Sequence, residues 1–190
     1  MVDFENDIKR CIAELNAGGT ILYPTDTVWG LGCDATDPAA VEKIFALKER
    51  PKEKSMIVLL ADARDILQYV AAPPPDIISI AENFERPTTV IYGNAIGLAE
   101  NVVNADGSIA IRVTNDPFCK ALIKRFRKPI VSTSANVSGA PTPQTYSQIA
   151  AAIKQGAGYT VNYRQEDETT RTPSRLVKLD DEGNMEILRG

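Results

Sequence analysis

The 190-residue sequence contains no histidine. That absence removes Ser–His and Cys–His nucleophile pairs, histidine general bases and histidine-ligated metals from the available chemistry. Its three cysteines, Cys11, Cys33 and Cys119, are far apart, odd in number and without CxxC spacing. Neither a disulfide framework nor a zinc site is therefore expected, and the three read as small core residues in a reducing compartment. No apolar run reaches membrane-spanning length, and Asp3, Glu5 and Asp7 occupy the region where an export leader would be apolar. A cytoplasmic protein without membrane contact is expected. Repeats and low-complexity linkers are lacking, and Gly30 and Gly32 are not followed by the Gly-Lys-Ser/Thr of a phosphate loop. Any catalysis has to work through charge and positioning.

What is present describes an ordinary globular chain. Hydrophobic residues make up 44% and charged residues 24%, enough to bury a core as one domain spanning residues 1–190. The net charge of −4 argues against nucleic-acid binding through the whole surface, so any polyanion site must be concentrated.

Helical spacing of Phe4, Ile8, Cys11, Ile12 and Leu15, stopped by Gly18-Gly19, predicts a helix over residues 4–17. Thr20–Tyr23 reads as a strand, whereas Thr25-Asp26-Thr27-Val28-Trp29-Gly30-Leu31-Gly32 fits neither period and reads either as a buried turn or as small polar groups beside Trp29 with glycines that permit close backbone approach. Asp37-Pro38 marks a helix start, with Val41, Ile44, Phe45 and Lys48 on one side and Pro51 as its stop. Strands are expected at 56–60, 88–92, 108–113, 129–131 and 160–163. Helices are expected from Asp62, through Ile77 to Phe84, and from Asn115-Asp116-Pro117. The basic run at the end of that last helix, Lys124, Arg125, Arg127 and Lys128, reads as dipole compensation. Thr145 with Gln148 resembles a capping box, and Leu176–Leu179, the turn 180–184 and Met185–Arg189 read as a hairpin. Alternating helices and strands predict an α/β open twisted sheet, made mixed by the terminal hairpin.

Two stretches carry candidate chemistry. Lys48, Arg50, Lys52 and Lys54 concentrate four positive charges between a helix and a strand, as an anion clamp or as a solvated helix end. Lys48 falls on the apolar stripe, where a lysine either snorkels to water or points into a polar cavity. Ser132-Thr133-Ser134-Ala135-Asn136-Val137-Ser138-Gly139 places hydroxyls and an amide at the end of a strand, where α/β folds bind ligands. Ser134 has no histidine to activate it, so these groups read as hydrogen-bond donors to an anion. Ser108, Ala110 and Arg112 share one strand face, which gives Arg112 room either to enter a cleft or to face solvent.

Taken together, Tyr23–Gly32, Lys48-Glu49-Arg50-Pro51 and Ser132–Gly139 closely resemble the signature segments of the YrdC-like threonylcarbamoyl-AMP synthases. The likeness extends over essentially the whole chain and matches the family's single-domain form. It implies a twisted α/β sheet around a deep, positively lined cavity. The implied activity joins L-threonine, bicarbonate and ATP into threonylcarbamoyl-adenylate with release of pyrophosphate, for tRNA threonylcarbamoyladenosine modification. ATP would be a substrate accompanied by magnesium, with no tightly bound cofactor and no protein metal site. The implied partners are the threonylcarbamoyl-transferase proteins, with a transient tRNA or double-stranded RNA contact.

By the same resemblance, Thr27, Arg112 and Ser132 match positions that hold threonine. Arg50, Lys54, Ser108, Ser134, Asn136, Thr142 and Arg189 match positions that contact ATP, and Lys48 and Arg50 are the candidate catalytic pair. The chain departs from the family pattern at Lys54-Ser55-Met56, Leu59, Arg86-Pro87-Thr88-Thr89 and Ser174-Arg175. Two other readings fit the same residues. One is an RNA- or nucleotide-binding paralogue without adenylation, and the other a carbamoyl-adenylate enzyme acting on a different amine.

Overall fold

The computed structural model describes residues 4–51, 56–180 and 182–190. Its helices are α1 (Glu5–Asn16), α2 (Pro38–Lys48), α3 (Ile66–Tyr69), α4 (Ile77–Glu82), α5 (Pro117–Phe126) and α6 (Ala151–Gly156). The strands are β1 (Ile21–Tyr23), β2 (Gly30–Gly32), β3 (Ile57–Leu60), β4 (Thr88–Tyr92), β5 (Ile109–Val113), β6 (Ile130–Ser134), β7 (Tyr159–Thr160), β8 (Arg175–Leu179) and β9 (Met185–Arg189). They form one open sheet in the order β7-β1-β2-β6-β3-β5-β4-β8-β9.

The α/β mixed sheet is as the sequence predicts, but its mixing is not confined to the terminal hairpin. β1/β2, β2/β6, β3/β6, β4/β5 and β8/β9 are antiparallel, whereas β1/β7, β3/β5 and β4/β8 are parallel. Alternation of elements along a chain does not fix strand direction, because a connection can return to either end of the sheet.

Local chemistry accounts for most boundaries. The Asp37 carboxylate accepts from the Ala39 N–H at 2.9 Å, and that of Asp116 from the Cys119 N–H at 3.0 Å, so both carboxylates cap helices that begin on a proline. Helix α1 ends at left-handed Gly18. Helix α2 ends earlier than Pro51 requires. Glu49 takes the left-handed conformation and turns the chain, with the Arg50 N–H returning to the Phe45 carbonyl at 3.0 Å.

Four further expectations change. Residues 30–32 form a strand of the sheet rather than a turn, and a Cβ on Gly32 would lie 2.5 Å from the Val131 carbonyl oxygen. Close packing of β2 against β6 thus requires glycine, which carries no hydrophobic period to read. Strand β6 continues to Ser134, so Ser132 and Ser134 project from a strand rather than a loop. β7 stops at Thr160, because the buried Asp7 carboxylate of α1 takes the N–H groups of Asn162 (3.1 Å) and Tyr163 (2.9 Å). The capping box does not form. The Thr145 hydroxyl bonds that of Ser147 at 2.9 Å, and the Gln148 side chain accepts from the Gln144 N–H.

The core is continuous across the sheet. Helix α5 buries Phe118, Cys119, Leu122, Ile123 and Phe126, each large apolar side chain contributing about 1.5–3 kcal/mol relative to exposure. Its basic end makes tertiary ion pairs rather than only compensating the dipole. Arg125 forks onto Glu5 at 2.6 and 2.8 Å, and Lys128 reaches buried Asp34 at 2.6 Å. All three cysteines are buried and unpaired, as expected of core thiols.

Candidate active site

Side chains alternate across a strand, so β5 serves two faces. Ala110 and Arg112 point to one, and Ile111 and Val113 to the other. On the first face is a cavity of about 330 Å³ that gathers residues from distant parts of the chain. Thr27, Trp29 and Gly30 come from the β1–β2 connection and β2, Arg50 from the end of α2, and Ser132, Thr133 and Ser134 from β6. Thr142, Ser174 and Arg189 complete the polar lining, and Met56, Ile57, Ile91 and Leu176 supply apolar wall. Three arginines face a space that has no carboxylate among its described lining residues. Such an arrangement suits an anionic ligand with an apolar part.

Arg112 is buried at the centre of the sheet. Its Nη1 donates to the Thr27 hydroxyl at 2.8 Å, Nη2 lies 3.3 Å from an Asp26 carboxylate oxygen, and Nε has no protein partner. The cleft reading of this strand arginine is thus the one realised. Burial holds the Arg50 guanidinium below its ordinary pKa. Arg189 reaches back across the β8–β9 pair, donating from Nη2 to the Ser174 carbonyl at 2.8 Å. The Ser174 hydroxyl in turn shares a 2.7 Å hydrogen bond with Thr89, which locks the segment before β8 against β4.

Lys48 follows neither course open to a lysine on an apolar stripe. It is 1% exposed, and its ammonium donates to the main-chain carbonyls of Ser134 and of Asn136, the latter at 2.6 Å. The Ser138 N–H returns to the Lys48 carbonyl at 2.7 Å, so α2 and the 134–138 segment hold each other. Burial, with the Arg50 charge beside it, lowers the Lys48 pKa to about 8. Lys48 is absent from the cavity lining.

Of the residues singled out in the sequence, Thr27, Arg50, Arg112, Ser132, Ser134, Thr142 and Arg189 therefore converge on one cavity. Ser108 and Asn136 do not line it. Ser108 closes a turn before β5, donating to Asp106 at 2.6 Å, and the Asn136 side chain donates to the Ala140 carbonyl at 2.7 Å. Lys54 lies outside the described residues. Sequence reasoning missed Ser174 as a lining residue, since its place depends on the β4/β8 pairing.

A second cavity, about 370 Å³, lies on the opposite face of β4 and β5 and is bordered by Asp26, Phe84, Arg86, Tyr92, Asn115 and Asp116. It has one cation and three carboxylates among its described lining residues, against three cations and no carboxylate in the first. The first is the better anion site.

Comparison with known proteins gives the chain a family and a fold. A family model for Sua5, YciO and YrdC, described as "Telomere recombination", matches residues 13–190. The chain belongs to the Sua5/YciO/YrdC family. It is 33% identical over 189 residues to a threonylcarbamoyl-AMP synthase of Pseudoalteromonas translucida, covering 98% of both chains. It is 34% identical over 164 residues to one of Idiomarina loihiensis, covering 84% of this chain and 86% of that one. Among solved structures, P. abyssi Sua5 complexed with L-threonine superposes with a TM-score of 0.86 at 24% identity. That match covers 100% of this chain but 55% of the Sua5 chain. E. coli YciO superposes with a TM-score of 0.81 at 20% identity, covering 97% and 88%. These structural likenesses establish the fold. The chain spans nearly all of the Pseudoalteromonas relative and little more than half of the Sua5 structure.

Proposed function

We propose that the protein is an L-threonylcarbamoyladenylate synthase, making threonylcarbamoyl-AMP and pyrophosphate from L-threonine, bicarbonate and ATP. The observation that carries this reading is the convergence of Thr27, Arg112 and Ser132 with Arg50, Ser134, Thr142 and Arg189 on one cavity. Relatives named for the same synthase align with the chain over nearly its full length.

The chemistry needs little covalent help. The threonine amine adds carbon dioxide, supplied by bicarbonate, to give a carbamate. A carbamate oxygen attacks the α-phosphorus, forming the acyl phosphate bond as the bond to pyrophosphate breaks. Arg112 offers the donors that suit the amino-acid carboxylate. In this reading Arg50 and Arg189, both on the cavity wall, offset charge on the phosphates, the Ser134 hydroxyl orients them, and Ser132 helps Thr27 hold the amino acid. Trp29, Met56 and Leu176 screen the carbamate from water. Magnesium enters with the triphosphate as part of the substrate. Among the described residues no group of three or more carboxylate or thiol ligands forms a separate metal centre.

We further propose that residues 1–190 act as one domain in the cytoplasm, handing the product to a tRNA threonylcarbamoyl-transferase, with any RNA contact transient. Among the described residues, no helix is long and apolar enough to cross a membrane. The deciding experiment is pyrophosphate release measured with threonine, bicarbonate or ATP omitted in turn. Dependence on all three is expected. Equal turnover without threonine would overturn the assignment, and turnover with a different amine would move it to another carbamoyl-adenylate.

A further inference from the structure

The hydroxyl groups beside Arg112 form a chain whose direction can be deduced. Thr25 Oγ1 donates to the Val28 carbonyl at 2.8 Å. A threonine hydroxyl has one proton, so across the 3.0 Å contact between the Thr25 and Thr27 hydroxyls Thr27 must be the donor. Thr27 Oγ1 has then spent its proton, and it accepts from Arg112 Nη1 at 2.8 Å. Toward the cavity Thr27 has only acceptor capacity left. Arg112 has the complementary surplus. Its Nη2 faces Asp26 at 3.3 Å without hydrogen-bond alignment at that oxygen and keeps its N–H donors, whereas Nε is buried without a partner behind it. Thr25 and Asp26 stand behind this pair, and neither lines the cavity. Thr25 also accepts the Thr27 N–H at 3.0 Å, and Asp26 takes the Thr114 hydroxyl at 3.4 Å. Both rear residues are thereby fixed to the backbone turn and to the end of β5.

We infer that Thr25 and Asp26 are positioning residues that set the polarity of Thr27 and the orientation of Arg112. The site then meets an α-amino acid with donors for its carboxylate and an acceptor for its ammonium or hydroxyl group. This rests on the proposed synthase reading for the identity of the amino acid, though not for the hydrogen-bond directions. A valine at position 25 keeps the shape but removes both the acceptor that takes the Thr27 proton and the donor that fixes its direction. An asparagine at position 26 removes the counter-charge that steadies Arg112.

The test measures KM for L-threonine and for ATP in Thr25→Val, Thr25→Ser and Asp26→Asn. Thr25→Val and Asp26→Asn are each expected to raise the threonine KM by about tenfold while the ATP KM stays within about twofold, and Thr25→Ser to restore wild-type behaviour. An unchanged threonine KM, a parallel rise in both constants, or a serine variant as impaired as the valine variant would each overturn the inference. A second readout needs no substrate: exchange of the Arg112 Nε–H followed by NMR. Slow exchange in the wild type that becomes fast in Asp26→Asn supports a steadied guanidinium, and identical exchange in the two proteins refutes it. If the wild type makes no adenylate, the proposed reaction fails while this measurement still decides the positioning role.

Discussion

Lys48 Nζ lies 2.6 Å from the carbonyl oxygen of Asn136, joining the last residue of α2 to the segment that follows β6. A fully buried ammonium is costly unless its protons are used, and here they go to the main-chain carbonyls of Ser134 and Asn136. The motif lysine therefore shapes the cavity wall from behind.

That placement gives Lys48 a pH signature. Its ordinary pKa of 10.5 falls to about 8 through burial and the Arg50 charge. Between those values the unfolded chain holds a proton that the folded chain has lost, so stability from this group rises with pH from about 8 upward. Below pH 8 both states are protonated and the cost of the buried charge is present in full. The stability of wild type relative to Lys48→Met should increase by about 2 kcal/mol between pH 8 and 10 in urea titrations. A pH-independent difference would show that Lys48 does not titrate in this range.

Arg50→Ala should leave the melting temperature near that of the wild type and reduce adenylation by about 10²–10³-fold, with weaker ATP binding. Calorimetric ATP titration and pyrophosphate release on the same preparation separate this from misfolding. Normal kinetics in the folded variant would remove Arg50 from the phosphate site.

Arg112→Lys keeps the charge but loses the planar fork. The threonine KM should rise by about tenfold or more, with the ATP KM little changed. Steady-state kinetics with each substrate varied would check this, and equal affinity for threonine would mean that the carboxylate binds elsewhere.

Gly32→Ala should destabilise the fold by about 1–3 kcal/mol, because its Cβ would meet the Val131 carbonyl oxygen at 2.5 Å and the Tyr23 ring at 2.7 Å. Gly30→Ala is the control, since its nearest contact is the Ser132 hydroxyl at 3.2 Å, a side chain that can turn. Urea unfolding of the two variants should show the larger loss at position 32.

The sequence by itself determined the elements whose causes are local. Asp37-Pro38 and Asp116-Pro117 start helices through side-chain caps, Gly18 ends one, and apolar periods mark α1, β3, β4 and α5. Thr27, Arg50, Ser132 and Ser134 stand in the signature segments, and the period of two along residues 108–113 sets Arg112 on one face with Ser108 and Ala110. Tertiary structure alone decided what depends on partners far along the chain. β2 is a strand because β1 and β6 flank its glycines, and β7 is cut short because Asp7 captures the chain beyond it. Lys48 braces the segment after β6 because two carbonyls 86 and 88 residues away take its ammonium protons. Charge and periodicity are written in the chain, whereas the partner of a buried polar group is set by packing, and that partner decides what the group can do.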